Sequence, residues 1–146
     1  MRAPGAARRP SVPARADRPS RPSDPSGVRI AHGGRPPVID VVLVDAPCSA
    51  TGTWRRSPDR RFTFDPAAPP AFTALQRALV VQGAALLKPG GPLVYATCSV
   101  LREENADVAA ALPEGFTLES CRTLSPHNDG TDGFYWAVAT RGADPA

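Results

Sequence analysis

A chain of 146 residues is enough for one domain and no more. Its 18 prolines compare with the about 7 that an average share near ~5% would give, so part of the chain must lie outside helices and central strands, where proline removes a donor and clashes. A net charge of +3, from 17 basic and 14 acidic residues with Lys88 the only lysine, permits contact with nucleic acid without requiring it; a GC-rich coding sequence is the preferred account of the arginine.

Residues 1–37 are dominated by Arg, Pro, Ala and Ser and are expected to be a disordered segment, because they offer too little apolar surface to offset the entropy of ordering. Arginines without an apolar stretch do not make a signal peptide, and prolines at positions 4, 10, 13, 19, 22 and 25 spoil an amphipathic transit helix. No apolar run approaches the ~20 residues of a membrane span. Two origins fit the segment: a basic arm that tracks phosphate, or a wrong-frame reading joined to the true frame before Val38. The second also accounts for the abrupt change of composition there.

Val38 to Val44 is a nearly continuous β-branched run ended by Asp45-Ala46-Pro47, the pattern of a parallel strand buried on both faces. Ser49 to Pro70 reads as a loop carrying Arg55, Arg56, Arg60 and Arg61. Phe72, Leu75, Leu79, Gly83 and Leu86 then recur at helical spacing until Lys88-Pro89-Gly90-Gly91 stops the helix. Pro92 to Ser99 is a second buried strand, and Ser99 is placed to cap a helix whose first turn holds Glu103 and Glu104. Phe116 to Leu124 alternates as a strand, Pro126 to Gly133 is rich in turn residues, and Phe134 to Thr140 is a last strand. Strand, helix, strand, helix, strand, strand is the second half of a doubly wound α/β sheet. The domain is expected over residues 38–141, with 142–146 a tail.

The three cysteines form no CxxC pair and no metal-like cluster with His32 and His127. An odd count without a secretory signal points to a reducing compartment, by default the cytoplasm. If the first two strands are parallel neighbours, Cys48, Cys98 and Asp45 all reach the carboxyl edge of the sheet, where open α/β sheets bind ligands. The cap at Ser99 would aim a positive helix end at the Cys98 sulfur and lower its pKa. Cys121, on the alternating third strand, reads as a packed small hydrophobe.

These residues carry a resemblance. Asp45-Ala46-Pro47-Cys48-Ser49-Ala50-Thr51-Gly52, Tyr95-Ala96-Thr97-Cys98-Ser99 and Asp132-Gly133-Phe134-Tyr135 resemble three motifs of the Sun/RsmB-type (NOL/NOP/Sun superfamily) RNA (cytosine-5) methyltransferases. Arg55-Arg56-Ser57-Pro58-Asp59, Lys88-Pro89-Gly90-Gly91 and Glu103-Glu104-Asn105 fit as well, so the resemblance covers roughly residues 38 to 141.

The resemblance implies a partial S-adenosylmethionine-dependent methyltransferase domain: the C-terminal half of a class I, Rossmann-like sheet, acting on RNA, ribosomal RNA above all. Cys98 would be the nucleophile that adds to carbon 6 of cytosine, which must be unpaired or flipped out. Cys48 would assist release of the methylated base. DNA cytosine methyltransferases place the nucleophile at the position of Cys48, which leaves the reversed assignment open. Asp45 would be the third catalytic residue, hydrogen-bonding the base edge, and with Pro47 would also contact the cofactor; Arg55, Arg56, Arg60 and Arg61 would contact the RNA phosphates. No metal is implied. The Gly-rich cofactor loop and the acids of the first strands are missing from this sequence, so the chain is expected to be a fragment. It would need its N-terminal half, and alone it would be inactive or bind RNA weakly.

Overall fold

The computed structural model describes residues 39–142. The expected disordered segment 1–37, Val38 and residues 143–146 of the expected tail lie outside the described residues. Four strands, β1 (Val42–Asp45), β2 (Pro92–Thr97), β3 (Phe116–Leu124) and β4 (Phe134–Arg141), form one sheet in the order β1-β2-β4-β3. Between β1 and β2 lie a 3-10 turn at Thr51–Thr53, a short helix α1 (Arg60–Thr63) and the long helix α2 (Pro69–Leu86). A 3-10 turn at Arg102–Glu104 and α3 (Ala106–Ala109) follow β2, and α4 (Pro126–Asp129) precedes β4.

β1 and β2 pair in parallel, with Val42 beside Leu93 and Asp45 beside Ala96. The expected strand from Val38 is shorter than its apolar run: Ile39 makes only an isolated bridge to Leu87, and the ladder begins at Val42. β4 enters between β2 and β3 and runs antiparallel to both. An alternating sequence cannot announce this insertion, because side chains alternate in either direction of travel.

Val42, Val44, Leu93, Tyr95, Thr97, Tyr135, Ala137 and Ala139 share one face of the sheet through these registers. Most of them belong to the buried core with Val80, Ala84, Leu87, Val108 and Ala109. Helix α2 begins at a proline, where the missing N–H costs nothing. It buries Gln76, Val80, Gly83 and Ala84, whereas the Phe72, Leu75 and Leu79 of the sequence pattern are only half-buried. Gly83 is where helix and strand close up: a Cβ there would sit 3.0 Å from Val42 Cγ1 and 3.2 Å from Val44 Cγ2.

β1 is not buried on both faces, contrary to the sequence reading. Leu43 is 65% exposed and Val41 55%, because among the described residues no helix packs on the face of β1 opposite α2. Cys121 is likewise exposed rather than packed. It sits on β3, the sheet's outer strand, whose residues from Thr117 to Thr123 are all exposed.

Three loops meet beyond the carboxyl edge of β1 and β2. Gly52 N–H donates to the Cys98 carbonyl at 2.9 Å, and Gly133 N–H donates to the Gly52 carbonyl at 2.8 Å. A Cβ on Gly52 would fall 2.1 Å from the Gly133 oxygen and 2.8 Å from the Cys98 oxygen, both backbone atoms with no freedom to give. Gly52→Ala should therefore cost on the order of 2 kcal/mol or more as the loops are forced apart, read as a lowered urea midpoint at unchanged slope.

Candidate active site

Asp45 ends β1 and is exposed, and Pro47, also exposed, follows one residue after the buried Ala46. The next residue, Cys48, meets Cys98 just past the end of β2: the two sulfurs lie 3.5 Å apart. Both cysteines are half-buried and free. The parallel ladder thus delivers the convergence that the sequence implies, with Asp45 beside the pair.

Two thiols at this distance share a proton more readily than they both lose one. Cys98 is lowered to about 6, chiefly because the Cys48 thiol donates a hydrogen bond to its sulfur. Burial and the Asp45 carboxylate oppose the shift, while Arg60 assists it. Cys48 is pushed far up, by the same hydrogen bond first and by burial second. The pair therefore favours the thiolate on Cys98 and the thiol on Cys48.

The expected cause, a helix capped by Ser99, is not there. Ser99 is followed by an extended Leu101, a three-residue 3-10 turn and the four-residue α3, too little helix to aim a sizeable dipole at the sulfur. Ser99 instead accepts the Leu101 N–H on Oγ at 3.0 Å, and that oxygen lies 3.1 Å from Thr51 Oγ1 and 3.3 Å from Ser49 Oγ.

Three buried polar residues support this arrangement. Glu104 accepts the Ser49 N–H on Oε1 at 2.9 Å and the Ser49 hydroxyl on Oε2 at 2.6 Å. Asn105 Oδ1 accepts the Thr97 hydroxyl at 2.5 Å, and its Nδ2 donates to the Ser99 carbonyl at 2.9 Å. Gln76 Nε2 donates to the Pro47 carbonyl at 3.0 Å. The sequence reading placed Glu104 in a helix's first turn, as an acid suited to the helix dipole, and did not single out Gln76. The one available signal was a glutamine within the apolar period of α2.

The four arginines divide. Arg55 Nη2 lies 3.2 Å from Asp132 Oδ1, and Arg56 Nε lies 2.6 Å from Asp132 Oδ2, with both guanidinium groups more than half exposed. These pairs tie the loop after Cys48 to the Gly133 junction. Arg60 and Arg61 stand on α1, not on a loop; Arg61 lies over the Phe62 ring, 5.0 Å from its centroid. Arg60 lines a cleft of about 470 Å³ with Cys48, Ser49, Phe64, Asp65 and Phe72. The cleft mixes charge, hydroxyl and aromatic surface directly beside a thiol.

The family model of the 16S rRNA methyltransferases RsmB/F matches residues 23–140. The match begins ahead of Val38, where the motif resemblance starts, so it includes residues expected to be foreign to the family. Ribosomal RNA small subunit methyltransferase B of Pasteurella multocida is 42% identical over 112 residues, covering 68% of this chain and 25% of its own length. Among solved structures, a methyltransferase homolog protein from Pyrococcus horikoshii is similar at a TM-score of 0.55 and 31% identity, over 72% of this chain and 40% of its own. NSun6 from Pyrococcus horikoshii, solved with SFG, is similar at a TM-score of 0.59 and 28% identity, over 70% and 30% respectively. The chain spans 21% to 25% of the length of curated relatives it matches.

The sulfur geometry is open to direct trial. Sulfurs 3.5 Å apart need to close by only about 1.5 Å to form a disulfide. Mild diamide should join Cys48 to Cys98 within one chain and leave Cys121 free for maleimide. The rate should rise as pH passes through about 6, where Cys98 becomes the attacking thiolate. Peptide mapping by mass spectrometry reads the linkage.

Proposed function

The chain belongs to the RsmB/F family of 16S rRNA methyltransferases, and from that membership we propose that it carries the centre that methylates carbon 5 of cytosine in RNA, ribosomal RNA in particular. Its four strands are part of a Rossmann-like methyltransferase sheet. The observation that carries the proposal is the pair of sulfurs 3.5 Å apart at the carboxyl edge of the sheet, with the acidity of Cys98 raised and that of Cys48 lowered by their hydrogen bond.

S-adenosylmethionine, when bound, supplies an electrophilic methyl group; the relative solved with SFG was bound to an analogue of it. The described residues fit one side of such a group. Asp45 presents an exposed carboxylate at the strand end, with exposed Pro47 close behind it, and these two residues would hold it. A groove of about 240 Å³ lined by Leu43, Asp45, Leu79 and Gly83 continues along the free side of β1.

Carbon 5 of cytosine is a poor nucleophile. When the Cys98 thiolate adds to carbon 6, the sulfur–carbon bond pushes the ring's π electrons to carbon 5, which then takes the methyl group. Carbon 5 next gives up its proton to solvent, the ring double bond re-forms and the Cys98 sulfur leaves. Cys48 acts in that last step: its S–H donates to the departing sulfur and stabilises it as thiolate. A cytosine can reach Cys98 only when unstacked, and the cleft lined by Phe64, Phe72 and Arg60 offers aromatic surface and one cation to such a base. Arg55, Arg56 and Arg61 are exposed on the segment between Cys48 and Phe64 and are suited to phosphate.

Fluorine at carbon 5 cannot leave as a proton does, so RNA bearing 5-fluorocytosine should remain attached to Cys98. In a chimera joining residues 39–146 to the preceding portion of the Pasteurella multocida relative, Cys98→Ala should abolish this adduct. Cys48→Ala should instead let an adduct accumulate with unmodified RNA, visible as a shifted band on a denaturing gel. Persistence of the adduct in Cys98→Ala and its disappearance in Cys48→Ala would reverse the two roles.

A further inference from the structure

Glu104 and Asn105 are adjacent in sequence, 0% and 4% exposed, and take no part in bond making. A buried carboxylate is costly unless its oxygens are hydrogen-bonded. No cation pairs with Glu104 among the described residues, and its oxygens are taken by the Ser49 N–H at 2.9 Å and the Ser49 hydroxyl at 2.6 Å, with Gln76 Nε2 at 3.5 Å. Ser49 immediately follows Cys48. Asn105 faces the other loop, accepting from the Thr97 hydroxyl at 2.5 Å and donating to the Ser99 carbonyl at 2.9 Å. Thr97 and Ser99 flank Cys98 on either side. One dipeptide therefore grips the neighbours of both sulfurs, with a separate side chain for each loop.

We infer that Glu104 and Asn105 are positioning residues that set the distance between the Cys48 and Cys98 sulfurs, Glu104 through Ser49 and Asn105 through Thr97 and Ser99. The inference rests on reading the two thiols as the reactive pair, but the positioning itself requires neither RNA nor a methyl donor. A thiol hydrogen bond weakens steeply with distance and angle, so a small drift of either loop would end the stabilisation of the Cys98 anion. Glu104 serves through two acceptor oxygens, one for the Ser49 N–H and one for its hydroxyl. An amide nitrogen in place of Oε2 would meet the Ser49 hydroxyl as a donor, and the hydroxyl would have to turn away. Asn105 needs its amide for the opposite reason: a carboxylate there keeps the Thr97 bond but has no N–H for the Ser99 carbonyl.

Both points define near-isosteric variants, Glu104→Gln and Asn105→Asp, to be measured in the full 146-residue chain. The readout is the rate of iodoacetamide alkylation of Cys98 against pH, assigned by peptide mass, beside a thermal melt of each variant. In the unsubstituted chain the rate should be half-maximal near the value of about 6 held by Cys98. In each variant the midpoint should move up by at least one pH unit, which lowers the rate at pH 6 by roughly fivefold or more. Should either variant fail to fold, Ser49→Ala removes the hydroxyl bond to Oε2 together with the longer hydroxyl contacts to Thr51 and Ser99, keeps the backbone bond to Oε1, and should give the same shift in smaller measure. Folded variants whose alkylation profile overlies that of the parent would overturn the inference and leave the dipeptide as polar core packing. A parent that titrates near pH 6 and shifts in the variants, in a chimera that forms no RNA adduct, would sink the proposed reaction while supporting the positioning.

Discussion

The parallel ladder that sets Val42 beside Leu93 and Asp45 beside Ala96 brings two strands, far apart in sequence, out of the sheet at the same edge. Because the ladder is parallel, the chain beyond Asp45 and the chain beyond Thr97 enter the same space, and Cys48 and Cys98 meet in it. The glycine contacts then fix how closely the loops can stack. Gly52 donates to the Cys98 carbonyl and accepts from Gly133, a three-layer arrangement with no room for a Cβ. The Asp132 carboxylate, next to Gly133, reaches back to Arg55 and Arg56. Ion pairs as exposed as these contribute little to stability; their part is to register one loop against another.

Within that frame the two sulfurs have unequal surroundings. Desolvation works against an anion on either, so the site tolerates one negative charge in the pair and not two. The hydrogen bond from the Cys48 thiol is the main support of the anion on Cys98, and Arg60 adds a smaller one. The Asp45 carboxylate works in the other direction, which shows that the acidity of Cys98 depends on its thiol partner rather than on a generally positive environment.

Much of this was legible in the residues. The β-branched run before Asp45, the helical spacing from Phe72 to Leu86 and the apolar run ending in Cys98 gave two strands and a helix close to those observed, and from them the meeting of the cysteines. The burial of β1 was misread, since an apolar run records what a strand can bury and not what covers it; Leu43 stands exposed. Cys121 was misread for the related reason that β3 lies at the sheet's outer edge, away from α2. The helix expected after Ser99 shrank to a 3-10 turn and one α-turn because Glu104 and Asn105 turn inward to the two loops instead of facing solvent. A buried glutamate carries no mark in a single sequence to distinguish it from a surface one, and neither does a buried Gln76.

Everything proposed for the site depends on one proton being absent from Cys98 while its neighbour keeps one. Thiolate absorbs near 240 nm and thiol does not, so a pH titration of the Cys121→Ala chain counts the anions directly. One equivalent of thiolate should appear with a midpoint near 6, vanish from that range in Cys98→Ala, and move up toward the ordinary thiol value of about 8.5 in Cys48→Ala. A chain that shows no thiolate below pH 8, or one whose titration near pH 6 survives Cys98→Ala and is lost in Cys48→Ala, would contradict the account.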